Sequence, residues 1–268
     1  MNYNLKRTSF LYSILIFLCL IIGNNSTLIA QSLSKNSTIS ILTYGPLEET
    51  YLLFGHNSIR VQDSAKRMDV LYNFGMFDFG QPNFIGNFLQ GKLLYSLGIQ
   101  QFQPILNYNK SRNRHFTEQV LNLTVSEKNE FFEVLKENYR PENRDYYYDF
   151  YFDNCATRIR DILKKVLKDK LVYATAKTVN QNKTFRQLLD EKIEHEAWTD
   201  FGIDLILGSA NDVKSGFEGQ MFLPDYVAQS LAGAKIKTDS STIDLILKTQ
   251  VLYNSTRVKE TNFWTSPL

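Results

Sequence analysis

Nucleophilic catalysis by a thiol asks three things of a chain: a cysteine held as thiolate, a base within hydrogen-bond reach, and a group that orients the base. The 268-residue sequence offers two cysteines, Cys19 and Cys155, and three histidines, His56, His115 and His195. Cys155 stands in DNCATRIRDILKKVL (153–167). There Asp153 and Asn154 are good N-cap residues, and Ile159, Ile162, Leu163 and Val166 recur at helical spacing. A cysteine in the first turn of a helix meets unpaired amides and the positive end of the helix dipole, both of which favour a thiolate. The same position also suits a small buried apolar residue, since Cys155, Ile159, Ile162 and Val166 share one face.

The histidines differ in context. His195 lies in the charged run 191–196 and reads as part of a solvated helix face, while His115 follows Arg112-Asn113-Arg114 and reads as an exposed loop residue. His56 follows Gly55 at the start of a strand, between apolar Phe54 and Ile59, and is the candidate base. The orienting group is expected on the neighbouring strand, where Asp69 and Asn73 lie four apart and so share a face. Asn73, flanked by apolar residues, is preferred to Asp69 at the strand's edge. No HExxH, CxxC, Gly-rich phosphate loop or GxSxG elbow is present, and no metal or cofactor is expected.

These residues need a sheet and a helix to bring them together. Strands are expected at 38–43, 52–61, 69–74, 94–99 and 115–123, the second and third forming a hairpin. A turn is expected at 75–80, and a helix beginning at Asn83 with Phe84, Phe88 and Leu89 on one side. Ser126 is expected to cap a helix to Tyr139, Thr184 to cap one carrying Phe185, Leu188, Leu189 and Ile193, and 221–225 to lead into a last helix through Leu231. The aromatic run 146–152 reads as too bulky for a loop, 198–207 as buried, 208–212 as a turn, and 242–251 as strand or helix. The sum is α+β, with strands concentrated before Cys155 and helices after it.

The first 30 residues read as a signal peptide: basic Lys6 and Arg7, an uncharged apolar run at 10–22, and a cleavage site after Ala30. The run is short for a membrane span, and Cys19 lacks the preceding small residues of a lipid-attachment site. Export follows, with a single domain at 31–268. Removal of the segment leaves 28 basic against 28 acidic residues, and nothing then suggests a nucleic-acid partner. It also leaves Cys155 as a lone thiol in an oxidising compartment, a liability unless buried or used.

The order His56, Asn73, Cys155 inverts the papain arrangement and resembles the circularly permuted papain-like (NlpC/P60-related) enzymes. The stretches FGHNSIRV (54–61), DVLYNFGMFDF (69–79), YYYDFYFDNCATRIRD (146–161), LGSANDVKSG (207–216) and MFLPDYV (221–227) resemble the N-terminal periplasmic domain of the Bacteroides-type lipoprotein N-acyltransferase family, Lnb. That resemblance implies an antiparallel sheet packed on the cysteine helix, with further C-terminal helices, and a periplasmic place at the membrane surface. It implies Cys155 as nucleophile and His56 as base, moving an acyl chain from phospholipid to the α-amine of a diacylglyceryl-cysteine lipoprotein. It also implies membrane-spanning helices after the soluble domain, near where this sequence reaches 262–268. Two other functions stay open: a cysteine peptidase or amidase on cell-wall peptide, and a non-catalytic envelope binding domain with a structural cysteine.

Overall fold

The computed structural model describes residues 32–49, 52–89, 92–173, 180–193, 202 and 211–256. The leader expected at 1–30, the buried stretch expected at 198–207 apart from residue 202, His195 and the end at 262–268 lie outside the described residues.

An antiparallel seven-stranded sheet organises the molecule. Its strands are β1 (Thr38–Tyr44), β2 (His56–Asp63), β3 (Met68–Met76), β4 (Leu94–Gln101), β5 (Phe116–Leu121), β6 (Asp145–Tyr147) and β10 (Ile246–Tyr253). They lie in the order β10-β5-β1-β2-β3-β4-β6. A smaller sheet holds β7 (Leu171–Tyr173), β8 (Ala234–Lys237) and β9 (Thr242–Asp244). The helices are α1 (Phe84–Leu89), α2 (Phe102–Ser111), α3 (Val125–Tyr139), α4 (Cys155–Leu167), α5 (Phe185–Ile193), α6 (Gly216–Gln220) and α7 (Pro224–Ala232). The fold class is α+β.

Alternation along the strands sends side chains to two cores. Ile39, Ile41, Ile59, Val61, Tyr72 and Phe74 pack against Phe131 and Leu135 of α3 and Ile159, Ile162 and Leu163 of α4. Leu42, Tyr44 and Leu71 face the other way, onto Phe102 of α2 and Phe116. Ile159 and Leu163 have no exposed surface, and burial of each such side chain contributes about 1.5–3 kcal/mol. The apolar face that holds α4 in place is therefore the continuation of the face on which Cys155 sits.

The hairpin β2–β3 forms as expected, around a short 3-10 turn at Ser64–Lys66 capped by the Asp63 side chain. Several expectations need correction. Helix α3 is capped by Thr124 rather than Ser126, because Glu127, three residues after Thr124, bonds back to the Thr124 amide and completes a capping box. Gly75 and Met76 belong to β3 rather than to a turn; Gly75 has φ 91°, and the β3–β4 register shifts between Asn73 and Met76. Residues 52–54 precede β2 instead of joining it, because Gly55 turns the chain with φ 79°. Helix α2 was not anticipated; Pro104 falls within its first turn, where the missing amide has no intrahelical acceptor to lose.

Only Tyr146 and Tyr147 of the aromatic run are in a strand. The rest forms a loop closed by a backbone bridge between Asp149 and Asp153, with Asp149 Oδ1 accepting from the Tyr151 and Phe152 amides at 2.9 Å each. A loop holds these rings because they pack on distant partners: Phe150 edge-on against Phe54 at 5.3 Å and Tyr151 tilted against Phe185 at 4.6 Å. Nor do helices alone follow the cysteine. Among the described residues four strands do, and β10 pairs with β5 at the edge of the main sheet.

Candidate active site

Gly55 sets the entry to the site. A Cβ at this position would lie 2.6 Å from the Tyr44 carbonyl oxygen, and φ 79° is left-handed, so only glycine turns the chain tightly enough to begin β2 at His56. His56, Asn57 and Ser58 pair with Tyr44, Thr43 and Leu42 of β1. On the other side the ladder to β3 begins only at Ile59↔Tyr72. The two strands thus part ahead of that pair, and the backbone there is left to bond to something other than a strand.

Cys155 bonds there. Its helix begins with Asn154 as N-cap, the Asn154 side chain accepting from the Ala156 and Thr157 amides at 2.8 and 2.9 Å. The same side chain donates to the carbonyls of Phe150 (2.7 Å) and Phe222 (3.0 Å), which ties the helix start to the aromatic loop and to the segment before α7. Asn154 is buried and every one of these bonds is internal. Cys155 is thereby fixed at the first helical position, 8% exposed. Gly75 passes beside it: a Cβ there would stand 4.0 Å from the Cys155 Cβ and 4.0 Å from the Tyr95 ring.

The sulfur and the His56 imidazole are hydrogen-bonded. His56 Nε2 lies 2.6 Å from Asn73 Oδ1. The amide oxygen is an acceptor only, so Nε2 carries the proton and Nδ1 is the nitrogen left for sulfur. Asn73 is itself held the right way round, its Nδ2 donating to Gln100 Oε1 at 2.8 Å. Cys155, His56 and Asn73 thus form one chain of hydrogen bonds, with Gln100 of β4 behind it.

The electrostatics favour the ion pair. Burial pushes the Cys155 thiol up, but the His56 charge and hydrogen bond, with the amides of Asn57 and of Cys155 itself, outweigh it and hold the thiol below its ordinary value. Burial likewise pushes His56 down, and the charge and hydrogen bond of Cys155 together with Asn73 more than restore it, raising the imidazole above its usual range. Nearby phenols stay neutral: burial lifts Tyr95 to about 12 and Tyr148 well above its ordinary value.

The other candidates lie elsewhere. Asp69 faces Arg60, whose Nε and Nη2 donate to its two oxygens at 2.7 Å each. His115 Nδ1 lies 3.2 Å from Asn254 Oδ1 and is half-buried. Two surface concavities, one beside Lys168–Lys170 and one beside Phe152 and Arg158, are lined by none of the three site residues. Among the described residues no cluster suited to a metal ion occurs, and no helix is long and apolar enough to cross a membrane. Sequence reasoning missed the Asn57 amide, since a backbone donor has no residue signature. It also missed Gln100, which register alone brings opposite β3.

The family model described as the Lnb N-terminal periplasmic domain matches residues 26–191. The chain belongs to that family. The Lnb_N match spans β1 to α5 and contains His56, Asn73 and Cys155; α6, α7 and β8–β10 lie beyond it. The family's description makes this a periplasmic domain, the N-terminal one of Lnb. No curated protein and no solved structure matches the chain.

Proposed function

We propose that the protein is a thiol-dependent acyltransferase of permuted papain-like architecture, with Cys155 as nucleophile, His56 as general base and acid, and Asn73 as the residue that orients His56. The observation that carries the reading is the hydrogen-bonded run Cys155–His56–Asn73, in which the thiol is held below its ordinary value by the imidazole. A cysteine kept only for packing gains nothing from such a partner.

In the first half-reaction the Cys155 thiolate attacks the ester carbonyl of a phospholipid. The C–S bond forms, the ester C–O bond breaks, and the departing glycerol oxygen takes the proton from the His56 imidazolium, releasing a lysophospholipid. The amides of Asn57 and Cys155, already directed at the sulfur, are suited to stabilise the oxyanion of the tetrahedral intermediate. In the second half-reaction the α-amine of a diacylglyceryl-cysteine lipoprotein attacks the thioester. The amide C–N bond forms, the C–S bond breaks, and His56 accepts the amine proton.

An acyl substrate is favoured by the surroundings of Gly75. From Tyr95, beside Cys155, rings run outward through Phe77 (5.1 Å) and Phe84 (5.9 Å from Phe77) to Phe79, which is 63% exposed. This aromatic path from thiolate to surface suits a hydrocarbon chain, and the surface it reaches suits a bilayer interface. The periplasmic family supports the location.

The test is intact-mass spectrometry after incubation with phospholipid vesicles. The expected result is one acyl increment on Cys155, absent from Cys155→Ala and discharged by a diacylglyceryl-cysteine peptide. No adduct, with amino acids released from cell-wall fragments instead, replaces the transferase with a peptidase or amidase. No reaction of either kind leaves an envelope binding domain.

A further inference from the structure

Arg114 has a feature that the catalytic run does not use. It is 5% exposed, a guanidinium removed from water almost entirely. Among the described residues it forms no ion pair. The guanidinium makes one hydrogen bond, Nε to the Gly45 carbonyl at 2.6 Å, and its Nη2 is buried without a hydrogen-bond partner. A buried, permanently charged group left in this condition is costly to keep, and its planar fork suits an anion. Glu49, the acidic side chain whose charge Arg114 feels, is engaged by Arg112.

Its position gives that unpaired donor a use. Arg114 precedes β5 at the end of the sheet where β1 finishes and His56 begins β2, with Phe116 paired to Tyr44 and Tyr44 paired to His56. The Tyr44 ring stands between the two groups. Its centroid is 5.3 Å from the Arg114 Cζ and 5.5 Å from the His56 ring, and its hydroxyl is bonded to Ser58 at 2.8 Å. The Arg114 charge is also one of the influences that lower His56, and Cys155 one of those that raise Arg114. The unpaired donor thus lies on the His56 side of the sheet end, with the Tyr44 ring between it and the imidazole.

We propose that Arg114 is the anion-binding arm of the Cys155 site and takes the phosphate of a glycerophospholipid whose acyl ester lies at the thiolate. This rests on the acyl-donor reading above. Arg114 then selects the donor: a phosphate oxygen accepts from Nη2, and a neutral diacylglycerol has nothing to offer there.

The full chain is presented with phosphatidylglycerol or with diacylglycerol of the same acyl chains, each in neutral detergent micelles, and the rate of acyl increment on Cys155 is read by intact mass. The wild-type protein is expected to favour phosphatidylglycerol, and Arg114→Gln to reduce the ratio of the two rates about tenfold or more, the effect of losing a buried charge-assisted hydrogen bond. Arg114→Lys, which keeps the charge and the burial, is expected to recover part of the ratio, and this guards against a variant that merely folds poorly. An unchanged ratio in Arg114→Gln, with both rates lowered together or only the pH dependence of Cys155 alkylation moved, overturns the phosphate site while leaving the acyl-donor reading intact. Adducts from neither donor in the wild-type protein overturn both. Inorganic phosphate at millimolar concentration separates the sources. Persistence of the phosphatidylglycerol preference supports a lipid headgroup, and its abolition assigns Arg114 to free phosphate and overturns the lipid form of the proposal.

Discussion

Strand β2 carries a buried polar cluster at each end, and the two are built on opposite plans. Toward its end, Arg60 is 8% exposed and fully answered: Asp69 takes Nε and Nη2, Glu118 accepts from Nη1 at 3.2 Å, and the guanidinium lies 3.5 Å over the Phe102 ring. Glu118 in turn accepts from Gln250 of β10. At its start, the Cys155 sulfur is held by His56 and by backbone amides, while Arg114 nearby is left with a donor unfilled. Charge in the first cluster is closed on itself across β5, β2 and β3, whereas charge in the second is directed at a nucleophile and leaves one buried donor unpaired. A closed buried network specifies packing; one with open valences is paid for in stability and is retained for chemistry.

Substitution separates the two plans. Arg60→Ala leaves Glu118 buried without its countercharge and is expected to destabilise the fold by about 3 kcal/mol, the lower end of such losses because Asp69 is 37% exposed. Urea unfolding measures this, and the folded fraction should still alkylate Cys155 at the wild-type rate. A slow thiol in folded Arg60→Ala would mean that the clusters are coupled. Asn154→Ala lies nearer the boundary. It removes an N-cap and strands the carbonyls of Phe150 and Phe222, so a loss of about 2 kcal/mol is expected, together with slower alkylation as the helix start frays. Loss of stability without any change at the thiol would show that the cap holds the loop and not the nucleophile.

Asn73→Ala is expected to do the reverse: little change in unfolding midpoint, and about a tenfold fall in acyl transfer from a misoriented imidazole. Because the Asn73 bond is one of the causes that raise His56, the pH at which His56 loses its proton should also fall, as followed by the imidazole resonances in NMR. An unmoved titration would remove Asn73 from the site.

The candidate residues were easier to bring together from sequence than the frame around them. Cys155, His56 and Asn73 carried signals of residue type in local context: a cap before a thiol, a histidine after a glycine, an amide among apolar neighbours. The structure brings all three into one hydrogen-bonded run. What sequence could not supply came from long-range pairing. β10 is a strand because the edge of β5 is open to it, the 148–153 loop holds its rings because Phe54, Phe185 and Phe222 receive them, and α2 forms despite Pro104 because Phe102 fills a pocket with Leu42 and Leu71. Arg114 was passed over for the same reason, since an arginine in RNRH looks like a surface residue until its burial is known.

The most direct test of the central claim, that His56 keeps Cys155 as a nucleophilic thiolate, is the pH dependence of Cys155 alkylation by iodoacetamide in the wild-type protein and in His56→Ala. Cys155 is the lone cysteine beyond residue 30, so in protein lacking residues 1–30 the rate reports one site. In the wild type the rate should reach half its maximum below the ordinary thiol value of 9.0. In His56→Ala burial is left without its main opponent, so the midpoint should rise above that of the wild type and the rate near neutral pH should fall by about tenfold or more. Superimposed profiles, or a wild-type midpoint at or above 9.0, would make Cys155 a packing residue and end the catalytic account.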